Sequence, residues 1–229
     1  MITKPTIGIL MLNTQFPRFV GDIGNPETFD FPVKFRTVNC ANAASVVFDD
    51  PLKLLPDFVE AGRDLIAQGC GALTTSCGFL SLLQTELKAE LGVPFASSSL
   101  MQLPLIEATL PAGKEAVVLT ISKDSLSPNH LRAAGARADT RIMGMPPAGA
   151  FASAILTDQT ELDHAACQSE MIAQAQALMT EKTGAIVLEC TNMAPYAAEI
   201  AQATGCPVFS IVSFINWFHA GLAPIAYPQ

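Results

Sequence analysis

Two cysteines carry the strongest chemical signal. Cys77 and Cys190 each follow a short apolar run that reads as a buried strand, and each precedes a stretch that reads as a helix. A thiol at a helix N-terminus meets the positive end of the helix dipole, so its pKa is expected to fall from ~8.5 and favour thiolate. One such cysteine suggests a nucleophile or a base. Two suggest opposed groups on one ligand: one thiolate removes a proton from carbon while the other thiol returns a proton to the opposite face, inverting the centre. A carbon beside a carboxylate is far less acidic than a thiol, and each unit of mismatch costs ~1.4 kcal/mol. Such a site needs donors preorganised around the enolate-like oxygens and must exclude water. Asn13 and Thr14 follow the first apolar run, Thr75 and Ser76 precede Cys77, and Gly78 and Phe79 follow it. Thr120 and Ser122 follow the Ala116–Leu119 run, and Thr191 and Asn192 follow Cys190. These are the candidate substrate-binding residues, with helix capping as the alternative for each Ser and Thr.

The elements that position the cysteines repeat. Shifted by 113 residues, 71–97 falls on 184–210 without a gap and with 7 identities in 27 positions, including Cys77 on Cys190, Gly92 on Gly205 and Pro94 on Pro207. Both units read strand, Cys, helix, Gly-x-Pro, strand. The remaining apolar runs, near residues 7–12, 33–38, 116–119 and 141–144, bring the expected strands to eight, alternating with helices near 50–68, 79–91, 100–110 and 160–180. This alternation predicts parallel βαβ units in an α/β protein of two pseudo-symmetric lobes, each a mostly parallel four-stranded sheet flanked by helices. The expected lobes are 1–98 plus 214–229, and 99–213. Each cysteine then sits at a strand's carboxyl end, where ligands bind in open parallel sheets, which puts the active site in the cleft between lobes.

Residues 16–32 hold three prolines and four phenylalanines and read as an ordered loop, either a lid or ordinary surface. Arg18 within it reads as a surface arginine, with pairing to a substrate carboxylate as the alternative. His164 reads as solvated, Trp217-Phe218 as lobe packing, and Cys40, Cys70, Cys167 and Cys206 as structural.

Composition narrows the class. The 229 residues are 50% hydrophobic and 15% charged, which suits a compact folded chain. A net charge of −8 without a basic cluster argues against nucleic acid and anionic membranes. No metal-ligand spacing, GxGxxG or Walker-type loop occurs, so neither a metal nor a nucleotide cofactor is indicated. The start shows no signal-peptide pattern and no run is long enough to span a bilayer, so a cytoplasmic location is expected.

Thr74-Thr75-Ser76-Cys77-Gly78 and Leu188-Glu189-Cys190-Thr191-Asn192 resemble the two cysteine motifs of the aspartate/glutamate racemase superfamily. The resemblance runs over nearly the whole chain. It implies two α/β lobes, no cofactor, Cys77 and Cys190 as the acid–base pair, Asn13, Thr120 and Thr191 as carboxylate-side contacts, and a possible homodimer. Asn13-Thr14, Gly78-Phe79 and Asn192 depart from the glutamate racemase pattern, which points away from glutamate and toward a more apolar side chain. Arylmalonate decarboxylases keep only the second cysteine, so Cys77 argues against that branch. The expected activity is a cofactor-independent racemase or epimerase acting beside the carboxylate of a small amino acid or derivative. The alternatives are a maleate isomerase- or decarboxylase-like enzyme on the same fold and a non-catalytic ligand-binding relative.

Overall fold

The computed structural model describes residues 5–225. Strand β1 (Thr6–Leu12), a nearly continuous apolar run, is buried along its length, as a strand covered on both faces must be. It pairs in parallel with β2 (Val33–Val38) and with β3 (Cys70–Thr75), and β3 pairs with β4 (Phe95–Ala96), giving the order β2-β1-β3-β4. A second sheet repeats this order as β6-β5-β7-β8, from β5 (Glu115–Thr120), β6 (Ile142–Gly144), β7 (Thr183–Leu188) and β8 (Val208–Phe209). Two parallel four-stranded sheets flanked by helices are thus the architecture.

The helices are α1 (Ala43–Phe48), α2 (Leu55–Ala67), α3 (Gln84–Leu91), α4 (Leu103–Thr109), α5 (Pro128–Ala133), α6 (Ala150–Leu156), α7 (His164–Leu178), α8 (Ala197–Thr204) and α9 (Ile211–Leu222). The 113-residue shift carries β3 onto β7, α3 onto α8 and β4 onto β8, end for end. Gly92 and Gly205 stop α3 and α8 at φ 65° and 64°, a left-handed turn that glycine adopts without a Cβ penalty.

Several boundaries differ from the sequence pattern. Each cysteine is followed not by an α-helix but by a six-residue 3-10 turn, Gly78–Leu83 and Thr191–Tyr196, before α3 and α8 begin. The stretch expected as one helix over 50–68 opens with its own 3-10 turn, Pro51–Leu54. Helix α7 starts at His164 because the Asp163 carboxylate accepts from the Ala166 N–H at 3.0 Å, a cap nearer the helix than Thr160. The sequence pattern marks no helix at α1, α5 and α6, which at six or seven residues are too short to show a helical period, nor at the twelve-residue α9.

The C-terminal α9 leaves β8 and returns to the first sheet, where Ile211, Phe214 and Ile215 pack with Ile7, Ile9 and Met11. Phe218 joins that packing, whereas Trp217 is 61% exposed and stacks on Phe214. Among the described residues no helix is long and apolar enough to cross a membrane.

Candidate active site

The carboxyl ends of β1, β3, β5 and β7 converge on a narrow cavity of about 20 Å³. Its polar lining is Arg18, Ser76, Cys77, Glu189, Cys190 and Asn192. Its apolar wall includes Leu12, Phe16, Phe79, Ile121, Ile155 and Leu156. A larger apolar groove of about 590 Å³ lies between α4 and α9, but no titratable side chain lines it. The smaller cavity holds the thiols, a carboxyl and a guanidinium, so it is the site with chemistry.

Both thiols lie at one cavity, half-buried for Cys77 and buried for Cys190. The lowered thiol pKa expected from the helix dipole does not occur. Burial pushes Cys77 up to about 12, with the nearby Glu189 carboxylate adding to the rise. Backbone amides of Phe79 and Leu80 and the charge of Arg18 pull the other way, but more weakly. Cys190 is raised well above its ordinary value, first by burial, then by Glu189 and by Cys77 itself. The amides at the turn do favour thiolate; desolvation outweighs them because the lobes close around the sulfurs.

The two cysteine turns are tied to each other. The Thr191 hydroxyl donates to the Ser76 carbonyl at 2.7 Å, and the Ser76 hydroxyl accepts from the Leu12 N–H at 2.9 Å. The Thr75 hydroxyl donates to the carbonyls of Ser97 at 2.7 Å and Cys77 at 3.0 Å, which holds the first turn against β4. Thr120 donates to Glu189 Oε2 at 2.7 Å. Ser122 donates to Ser125 at 2.9 Å, and the Asn13 amide donates to the Asn39 carbonyl at 3.2 Å. Of the residues singled out in the sequence, the structure thus brings Cys77, Cys190, Ser76, Phe79 and Asn192 to the cavity. Asn13, Thr14, Thr75, Gly78, Thr120, Ser122 and Thr191 do not line it, and the side chains of those that have one are engaged elsewhere.

The loop of residues 16–32 reaches the cavity through Phe16 and Arg18. Phe16 enters its wall, while Ile23, Phe29 and Phe31 are buried in the cluster around α9. Arg18 is not a surface residue: its side chain is 13% exposed, its Nη1 donates to Asp22 Oδ1 at 2.8 Å and its Nη2 to Thr14 Oγ1 at 2.9 Å. The guanidinium also lies 4.8 Å from the Phe16 ring centre. Asp22, itself buried, accepts from Asn192 Nδ2 at 2.6 Å, and Asn192 Oδ1 accepts from the Cys190 thiol at 3.6 Å. A chain of contacts therefore runs from the loop to the second cysteine. Sequence reasoning undervalued Arg18 and missed Asp22 and Glu189; Arg18 and Asp22 lie in a loop, where spacing carries no pairing signal, and the role of Glu189 comes from its burial in the fold. His130, edge-on to Phe79, is buried and bonded to Ser127, and burial lowers it to about 4. His164 is exposed, as expected, with its ring against Phe19 and Tyr196.

Solved structures share the fold. An arylmalonate decarboxylase carrying a glycine-to-cysteine substitution, in a sulfate-associated form, superposes with a TM-score of 0.65 over 98% of this chain and 97% of that one, at 18% identity. A glutamate racemase from Bacillus anthracis gives 0.61 over 96% and 84%, at 14% identity. An allantoin racemase from Pseudomonas fluorescens gives 0.54 over 95% and 90%, at 20% identity. The fold is the one these decarboxylase and racemase structures share. No protein-family model matches the chain.

The curated relatives similar in sequence are dimethylsulfoniopropionate lyases. Dimethylsulfoniopropionate lyase 7 of Emiliania huxleyi (strain CCMP1516) is 26% identical over 229 residues, covering 95% of this chain and 67% of that protein. Dimethylsulfoniopropionate lyase of Durusdinium sp. clade D is 23% identical over 235 residues, covering 96% and 76%. Dimethylsulfoniopropionate lyase 3 of Emiliania huxleyi is 27% identical over 231 residues, covering 95% and 60%. The chain therefore spans about two-thirds of the length of these relatives.

Proposed function

We propose that the chain is a carbon-acid enzyme in which a cysteine thiolate removes the proton beside the carboxylate of a small substrate, and that elimination of a leaving group from the next carbon completes the reaction. The observation that carries the first half is the meeting of Cys77, Cys190 and Arg18 at one cavity. Arg18 has five N–H donors and uses Nη1 and Nη2 on Asp22 and Thr14, which leaves donors for a substrate carboxylate. Holding that carboxylate stabilises the enolate-like charge that develops when the proton leaves.

The second half rests on the relatives and on the wall. A dimethylsulfoniopropionate-type substrate presents a carboxylate to Arg18 and a soft sulfonium to the apolar side, where Phe16 and Phe79 supply aromatic surface. The proton leaves the α-carbon for the thiolate. Its electron pair forms the carbon–carbon double bond, and the β-carbon–sulfur bond breaks with its electrons going to sulfur. The products are dimethyl sulfide and acrylate, and the base is left as a thiol. A cavity of about 20 Å³ has room for little more than a water, so the site must open to admit a substrate.

Racemisation is the second reading. It is favoured by Cys77 and Cys190 occupying equivalent places in the repeat. One experiment separates the two. The protein is incubated in heavy water with dimethylsulfoniopropionate and, separately, with both enantiomers of aspartate, glutamate, hydantoins and 2-substituted malonates. Headspace dimethyl sulfide with vinylic acrylate signals supports elimination. Deuterium at an inverted α-carbon supports racemisation. Neither product from a folded protein overturns the carbon-acid reading.

A further inference from the structure

The 113-residue shift relates Ser76 to Glu189 and Gly78 to Thr191, and at these positions the two lobes differ. On one side Thr191 donates across the boundary to the Ser76 carbonyl. On the other, Gly78 faces the Glu189 carbonyl and carboxyl: a Cβ on Gly78 would lie 2.4 Å from Glu189 O and 2.2 Å from Oε1. Glycine therefore leaves the space that the Glu189 side chain occupies. That carboxyl is fully buried, holds Thr120 through Oε2, and leaves Oε1 without a hydrogen-bond partner among the described residues. It lines the thiol cavity and acts electrostatically on both sulfurs.

Resting on the thiol chemistry above, we propose that Glu189 is a positioning residue shared by both cysteines: a buried carboxyl, given room by Gly78, whose charge governs whether either sulfur becomes a thiolate. An unpaired buried carboxylate opposes a second negative charge in the same low-dielectric space. A neutral carboxyl does not, and its O–H can donate to a thiolate. The charged groups facing this space are Arg18, Asp22 and the thiols, with His130 behind Phe79. Arg18 is paired with Asp22, so it does not fully offset Glu189. Burial raises Glu189 to about 7, which places its charge change near neutrality.

The test is site-resolved alkylation. Wild type, Glu189→Gln and Thr120→Val are treated with iodoacetamide from pH 6 to 10, and modification of Cys77 and Cys190 is quantified by peptide mass spectrometry. Thermal melts check that each variant is folded. Glu189→Gln should raise the alkylation rate of both thiols about tenfold at pH 8.5, a shift of about one pH unit in their profiles. Thr120→Val removes a bond that favours the carboxylate, so it should move the inflection due to Glu189 to higher pH. A profile unchanged at either thiol in the folded Glu189→Gln protein overturns the shared role, as does an unmoved inflection in folded Thr120→Val. These readouts need no substrate. An absence of turnover on carboxylates would sink the carbon-acid reading without touching this result, and the reverse also holds.

Discussion

The Thr191 hydroxyl donates to the Ser76 carbonyl at 2.7 Å across 115 residues of sequence, joining the turn that carries Cys190 to the turn that carries Cys77. Both groups are buried, so this bond registers the two lobes where the thiols face one cavity. Thr191→Val keeps the shape and leaves the Ser76 carbonyl unsatisfied, a loss of about 1–3 kcal/mol in stability. Because a small misplacement of catalytic groups is costly, turnover should fall on the order of a hundredfold. Chemical denaturation and steady-state kinetics measure the two effects.

Replacing either thiol separates elimination from racemisation. A positioned acid or base contributes about 10²–10⁴ in rate. For elimination one thiol serves as base, so Cys77→Ser and Cys190→Ser should differ in residual turnover by at least tenfold. For racemisation both variants should lose inversion to a similar degree in each direction. Rates of dimethyl sulfide release and of α-deuterium exchange in the two variants give the comparison.

Arg18 should govern substrate affinity. Arg18→Met removes the guanidinium that would meet the carboxylate and strands the buried Asp22, so KM should rise at least tenfold and stability should fall by about 3 kcal/mol. Arg18→Lys keeps the charge but not the forked geometry shared with Asp22 and Thr14, so it should restore stability more than KM. Kinetics with saturation curves alongside thermal melts distinguish the two losses.

Stability should depend on pH through two buried groups of opposite sign. The fold raises Glu189 from 4.5 to about 7, so it binds this proton more tightly than the unfolded chain, and stability is lost as pH rises from about 4.5 through 7. Glu189→Gln should therefore be more stable than wild type at pH 8, by up to the order of 3 kcal/mol, with the advantage gone near pH 4.5. The fold lowers His130 from 6.5 to about 4, so its contribution is lost as pH falls from 6.5 toward 4. His130→Gln should lose less stability than wild type on acidification across that interval. Urea titrations at pH 4.5, 6 and 8 measure both.

The local pattern was enough for the architecture. The strand–Cys–helix–Gly-x-Pro–strand repeat became two sheets of identical order because apolar runs, Gly stops and proline breaks act within a few residues of themselves. It also placed both cysteines at strand ends that meet. What the chain cannot show locally is which polar atoms are already taken and how dry a group becomes. Thr120 is held by Glu189, 69 residues away, Thr191 by Ser76, and Gln15 N–H by Asp158, 143 residues away. Arg18 reads as surface in the sequence, but its loop folds it onto its own Asp22 and Phe16, and Asp22 is held in turn by Asn192, 170 residues away. The thiols illustrate the limit most sharply. Turn amides beside Cys77 and Cys190 are a local property and favour thiolate, but burial by both lobes and the charge of Glu189 are tertiary properties, and desolvation is the larger effect.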